Sequence, residues 1–295
     1  MPDRSGQMVN ATNAAAPPRR RTPRRWLRYS LRSLLVAVTV GCVALALWAN
    51  SAQRQRRAVE AIRAAGGTVV YDFEAAGNDT PWPAWLSDVL GVDYFACPVK
   101  VGFMGHVNNI DEIMIHVRVL RRLETLSLNR TQVTDRGLAQ IAELSRLKRI
   151  VVYSFWVNDA GLAHLSKLTE LQELYLSGSI GDAGMVHLNS LTNLRELSLY
   201  DTQVSGAGLA HVRGLTKLEL LSLNNTHVDD ASMENLRAMQ SLQHLYLSNT
   251  RVSDAGLQKL HGLTSLQWIY AEGTQISEAG VAQLRNALPN CRVKR

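Results

Sequence analysis

Residues 123–146 read LETLSLNRTQVTDRGLAQIAELSR, and residues 242–265 read LQHLYLSNTRVSDAGLQKLHGLTS. Both carry L-x-x-L-x-L, then a Thr, then D-x-G-L, at the same offsets. Units of this kind begin at Leu123, Leu147, Leu171, Leu194, Leu218, Leu242 and Leu266, spaced by 24 residues except for 23 between Leu171 and Leu194. Self-similarity at a fixed period of this size marks a solenoid, in which each unit completes the burial of its apolar face only against its neighbours.

Within a unit the apolar period changes. Leu126 and Leu128 flank Ser127, the two-residue alternation of a strand with one face turned inward. Leu138, Ile141 and Leu144 recur at three, giving a helix with one apolar stripe. Before each helix stands a residue type favoured at the N-cap: Thr134, Asn158, Gly181, Ser205, Asp229, Ser253 or Ser277. The next position is usually acidic (Asp135, Asp159, Asp182, Asp230, Asp254, Glu278), which suits the positive end of a helix. Thr131, Ser179, Thr202, Thr226, Thr250 and Thr274 form a column of hydroxyls able to bond backbone groups where each strand turns away. Phe155 takes that position in the second unit, so the ladder is expected to break there. Residues 288–293, LPNCRV, reproduce the start of a unit without its helix and are expected to form a closing strand.

These units resemble the leucine-rich-repeat family, in its 24-residue class with a T-D-x-G-L turn. The segment RRWLRYSLRSLLVAV (24–38) and the closing LPNC (288–291) are similar to membrane-anchored leucine-rich-repeat proteins of planctomycete-type bacteria. The resemblance implies an α/β fold, a right-handed solenoid with a curved parallel sheet and helices on the convex side, and a protein-interaction role. Similar repeats occur in F-box ubiquitin-ligase receptors, but no F-box segment is recognisable in this sequence.

The charge is unevenly placed. Residues 1–57 hold eleven Arg against one acid, Asp3; this segment carries +10 and the rest of the chain −3, which together make the net +7. A nucleic-acid-binding solenoid needs basic charge on its own face, so a nucleic-acid partner is not expected. The excess instead borders residues 34–49, LLVAVTVGCVALALWA, a run without a charge. Trp26, Tyr29 and Trp48 flank it as interfacial aromatics do, and the stronger basic cluster upstream predicts a cytoplasmic N-terminus with the repeats on the extracytoplasmic side. Residues 26–50 are therefore expected to be a transmembrane signal anchor behind a disordered basic tail over 1–25. A signal peptide cut near Ser51 and a buried soluble helix are the alternatives.

Residues 51–122 are expected to hold a helix (52–65), a linker and an N-terminal cap over 66–122, with 99–122 as a degenerate first coil, for the repeat domain over 123–293. Short strands are expected over 68–73 and 99–103 and a helix over 82–90. The cap is needed because the first coil of an array exposes an apolar edge. Cys97 and Cys291 lie at opposite ends of the array, too far apart to bridge, so the three cysteines give no disulfide framework.

Strand alternation places three columns on the concave face: Thr125, Arg149, Glu173, Glu196, Leu220, His244, Trp268; then Ser127, Val151, Tyr175, Ser198, Ser222, Tyr246, Tyr270; then Asn129, Tyr153, Ser177, Tyr200, Asn224, Ser248, Glu272. Tyr and Trp recur on them, and these residues dominate interaction hot spots. Tyr153, Tyr175 and Tyr200 form one candidate partner-binding cluster, and Tyr246, Trp268 and Tyr270 a second; strand propensity alone is the competing explanation for the tyrosines. His164, His187 and His211 share one helix position and are expected to be a solvated column rather than a metal site. No H-E-x-x-H, Walker loop, G-x-G-x-x-G or G-x-S-x-G occurs, so neither an enzyme nor a cofactor is expected. The expected function is a non-catalytic, membrane-anchored scaffold binding a protein partner on its concave face. The alternatives are a soluble adaptor recruiting a substrate to an enzyme complex and a secreted binding protein.

Overall fold

The computed structural model describes residues 31–295, so the tail expected over 1–25 and the start of the expected anchor, 26–30, lie outside the described residues. The chain divides into two compact units, one ending at Leu47 and the other spanning Trp48–Arg295. One helix, Leu31–Ala64, supplies residues to both. Its residues 31–47 are all exposed, and the helix is long and apolar enough to cross a membrane. The separate helix expected over 52–65 is thus continuous with the apolar run, since no Gly or Pro stands between Gly41 and Gly66. Gly66, at φ 81°, lies just past its end in the left-handed conformation that favours glycine.

The larger unit is built on one sheet of ten strands in sequential order: β1 (Thr68–Tyr71), β2 (Pro98–Met104), β3 (Thr125–Asn129), β4 (Arg149–Asn158), β5 (Glu173–Ser179), β6 (Glu196–Leu199), β7 (Leu220–Ser222), β8 (His244–Tyr246), β9 (Trp268–Tyr270) and β10 (Arg292–Lys294). β1 is antiparallel to β2, and every later neighbour is parallel. The register is one coil per strand: Leu126 faces Ile150, then Leu174, Leu197, Leu221, Leu245 and Ile269. All are buried in a single core that runs from Ala58 to Cys291. Burial pushes the Cys291 thiol up to about 11, which makes it inert.

The helical side is tighter than an α-helical stripe. Helix Asp135–Ala139 is barely more than a turn, and Ile141, Leu144 and Leu147 then donate N–H bonds to the carbonyls three residues back at 3.1, 2.9 and 3.0 Å. A recurrence of three is the 3₁₀ period, which is why the leucines of this stretch stay in line. The N-terminal edge is covered by the last turns of helix Leu31–Ala64, whose Ala58, Val59 and Ile62 are buried with Val101 and Phe103. β2 already pairs in parallel with β3, and helix Ile110–Val117 follows it, so residues 98–117 form a coil of the array.

The acidic column does more than face its own helix. Asp182 reaches the next coil, where its Oδ1 accepts from the backbone N–H of Ser205 at 2.7 Å and of Gly208 at 2.9 Å. Its Oδ2 accepts from Ser205 Oγ at 2.5 Å. Asp111 does the same to Thr134, Asp230 to Ser253 and Asp254 to Ser277. The glycine of D-x-G-L makes room for this carboxylate: a Cβ at Gly256 would lie 2.6 Å from Asp230 Oδ1 and 2.7 Å from Val252 Cγ1.

The one exception explains itself. In the coil from Leu218 the cap is Asp229, whose carboxylate would repel an aspartate arriving from the coil before, and there the acid is replaced by Gly206. Ser232 stands where other coils have glycine, and its hydroxyl accepts from the Asp229 N–H at 3.0 Å while donating to Asp229 Oδ1 at 2.7 Å.

Asp182→Ala strips three donors of their acceptor at once. The expected loss is on the order of 1–3 kcal/mol, read as a lower midpoint in thermal unfolding followed by circular dichroism. An unchanged midpoint means that the inter-coil carboxylate adds nothing to stacking.

Candidate binding surface

The strand pairing puts two of the predicted columns in register along the sheet, and the third only at Asn129, Tyr153 and Ser177, because Tyr200, Asn224, Ser248 and Glu272 lie past the ends of their strands. Thr125, Arg149, Glu173, Glu196, Leu220, His244 and Trp268 are in register, as are Ser127, Val151, Tyr175, Ser198, Ser222, Tyr246 and Tyr270. β2 and β10 extend the first two columns with Lys100 and Arg292 and with Gly102 and Lys294.

At the C-terminal end the three predicted aromatics form a stack. The rings of Tyr246 and Tyr270 lie 4.5 Å apart at an interplanar angle of 3°, and Trp268 lies 5.9 Å from Tyr270 at 16°. Parallel strands about 4.8 Å apart bring Tyr246 and Tyr270, which are in equal register, into such a stack, and Trp268 joins it from two residues before Tyr270 on the same strand. The Arg292 guanidinium closes it at 5.2 Å over Trp268.

The other predicted trio separates. Tyr175 lies under the Arg149 guanidinium at 4.7 Å and donates its hydroxyl to Glu196, while Arg149 is ion-paired with Glu173. Burial and the hydrogen bond to Glu196 push the Tyr175 phenol up to about 12. Tyr153 and Tyr200 instead line a recess of about 930 Å³ together with Met104, Thr131, Phe155, Trp156 and Asp201.

The recess arises from an irregularity in the repeat. Arg130, Asp201, Asn225 and Asn249 end their strands with φ between 54° and 58°, the left-handed turn that folds the chain back over the core. The corresponding residue of the second coil, Ser154, takes no such turn, and β4 continues to Asn158. Ser154 turns inward and donates to the Val133 carbonyl at 2.8 Å. Phe155 and Trp156 are consequently thrown outward, 72% and 61% exposed. Two features of the next coil accommodate the overrun. It is the 23-residue unit, and Gly178, at φ 119°, sits where a Cβ would collide with the Ser154 carbonyl oxygen.

The hydroxyl column is realised in the C-terminal coils, where Thr202, Thr226, Thr250 and Thr274 donate to the carbonyl three residues back at 2.6–2.8 Å. Thr131 departs from it. At 3% exposure, its Oγ1 has no hydrogen-bond partner among the described residues, and Thr131 lines the recess. Phe155 was legible in the sequence as a break in this ladder; Met104 and Trp156 carried no signal, because no repeat position predicts them. His164 and His187 are half-buried and His211 is exposed, and no group of three or more potential metal ligands occurs among the described residues.

Comparison with known proteins gives two findings. A family described as Leucine rich repeat matches residues 216–276. Among solved structures, internalin C2 from Listeria monocytogenes strain 4b F2365 is similar, with 24% identity over 68% of this chain and 80% of that one and a TM-score of 0.49. No curated protein matches the chain.

The Tyr175 environment has a measurable consequence. Its phenol holds its proton more tightly in the folded than in the unfolded chain, so this contribution to stability is complete below the ordinary tyrosine value near 10 and fades as pH rises toward about 12. In a tyrosinate absorbance titration, the difference between the native protein and Tyr175→Phe is expected to titrate near 12; a difference centred near 10 refutes the Glu196 pairing.

Proposed function

We propose that this leucine-rich-repeat protein is a non-catalytic scaffold, anchored in a membrane by its N-terminal helix and holding its sheet face toward a protein partner outside the cytoplasm. Leucine-rich-repeat folds are protein-interaction scaffolds, and the sheet face is the natural candidate for the contact. The observation that carries the reading is the outward-facing pair Phe155 and Trp156 at the recess shared by Tyr153 and Tyr200. Large exposed apolar side chains beside a recess are what a partner's own anchor residue packs against. The stacked Tyr246, Trp268 and Tyr270 supply a second rigid aromatic surface on the same sheet face.

The apolar helix near the N-terminus is compatible with a single-pass anchor or a signal sequence. Retention is supported by the chain beyond Leu47. A cut after Ser51 falls inside an unbroken helix and next to the buried Ala52. It would also remove Trp48, whose ring packs 5.4 Å from Tyr94 and 6.3 Å from Phe95. The arginine excess upstream of the run supports a cytoplasmic N-terminus.

Two measurements test this reading. The full chain is expected to stay in the membrane pellet after alkaline carbonate washing, with its repeats cleaved by protease added to the extracytoplasmic side; extraction, or protection of the repeats, removes the anchor or its orientation. Phe155→Ala combined with Trp156→Ala is expected to weaken capture of the partner by about 2 kcal/mol, roughly thirtyfold, without lowering the melting temperature. Tyr246→Ala with Tyr270→Ala is expected to weaken it as well. Unchanged capture by both pairs places the interface elsewhere, and loss of folding shows the rings to be structural.

A further inference from the structure

Helix Ala84–Leu90 has no buried residue. Trp85 and Val89, four apart and so on one face, are 64% and 73% exposed, and Leu90 beside them is also exposed. Nothing in the repeat calls for this apolar knob. Its surroundings say what it meets. Trp82, just before the helix, packs 5.4 Å from Phe95, and Tyr94 and Phe95, just after it, pack on Trp48. The helix is therefore tethered on both sides to an aromatic cluster that contains Trp48. In sequence, Trp48 and Ala49 close the uncharged run, and Arg54, Arg56 and Arg57 follow within eight residues of Ala49. If the run crosses a bilayer, its lipid–water boundary passes at Trp48, the depth at which Trp and Tyr rings collect.

We propose that the segment 81–90 dips into the lipid interface, with Trp85, Val89 and Leu90 among the upper acyl chains and headgroups. This second contact with the same bilayer rests on the anchor reading and adds to it. Asp88 is the only acid of the helix. A bilayer fits better than a protein partner because the knob is tied to the residue that ends the span.

The test uses the full chain reconstituted in vesicles of phosphatidylcholine and phosphatidylglycerol, with and without bromine on the upper acyl chain, at the depth of about 5–10 Å that interfacial segments reach. The tryptophan emission of the native protein minus that of Trp85→Phe isolates Trp85. Flotation with the vesicles checks the anchor, and thermal unfolding checks that the variant folds. The expected result is flotation of both proteins and loss of most of the difference emission in brominated lipid. If both float and the difference emission is the same in either lipid, the interfacial contact is overturned while the anchor stands. If that unquenched emission instead changes with the protein-to-lipid ratio, a second copy covers Trp85 and the proposal fails in favour of self-association. If the chain does not float, the anchor reading falls and takes this inference with it.

Discussion

A coil of 24 residues cannot bury its own leucines. Its strand side and its helical side close around the apolar side chains, but both ends of the coil stay open, and only another coil of the same shape can shut them. That constraint sets most of what is seen in the Trp48–Arg295 unit. It fixes the register, because Leu126, Ile150 and Leu174 must superpose along the array to make one interior. It demands special ends, supplied by Ala58, Val59 and Ile62 on one side and by β10 with Leu288 and Cys291 on the other. Stability then resides in nearest-neighbour contacts. The aspartate that leaves one helix turn to accept from the cap of the next coil, between Asp182 and Ser205 for example, is the polar part of the same contact.

The repeat was legible in the sequence because each of its positions has one dominant physical requirement. Period two marks the strand, period three the tight helical side, and the cap column the start of each turn. Thr134, Asn158, Ser205, Ser253 and Ser277 do accept backbone N–H bonds as caps. The purpose of the acid after the cap was not legible. An Asp at a helix start is satisfied by its own helix dipole, so spacing alone gives no hint of a bond to a coil 23 residues on, such as Asp230 to Ser253. The companion glycine and the paired exception at Gly206 and Ser232 become intelligible only when adjacent coils are seen in contact.

The sheet face was legible in its columns and not in its groupings. Register follows from the repeat, so Tyr246, Trp268 and Tyr270 meet as expected. Whether a column tyrosine stands free depends on its lateral neighbours, and Tyr175 has Arg149 on its ring and Glu196 on its hydroxyl. Such pairing across columns follows from side-chain reach and charge, which vary from coil to coil.

Irregularity is where this protein departs from what folding requires. An array optimised only for stacking has no use for a strand that overruns its turn, a coil shortened by one residue, or a Phe-Trp pair held in water. Each is costly alone: an overrun strand collides with the next coil unless Gly178 is there, and an exposed Trp invites association. The compensating features sit in the coil that follows, because that coil is the one the overrun strand packs against. Local rules broken in concert at one place are where a functional or strained site is expected.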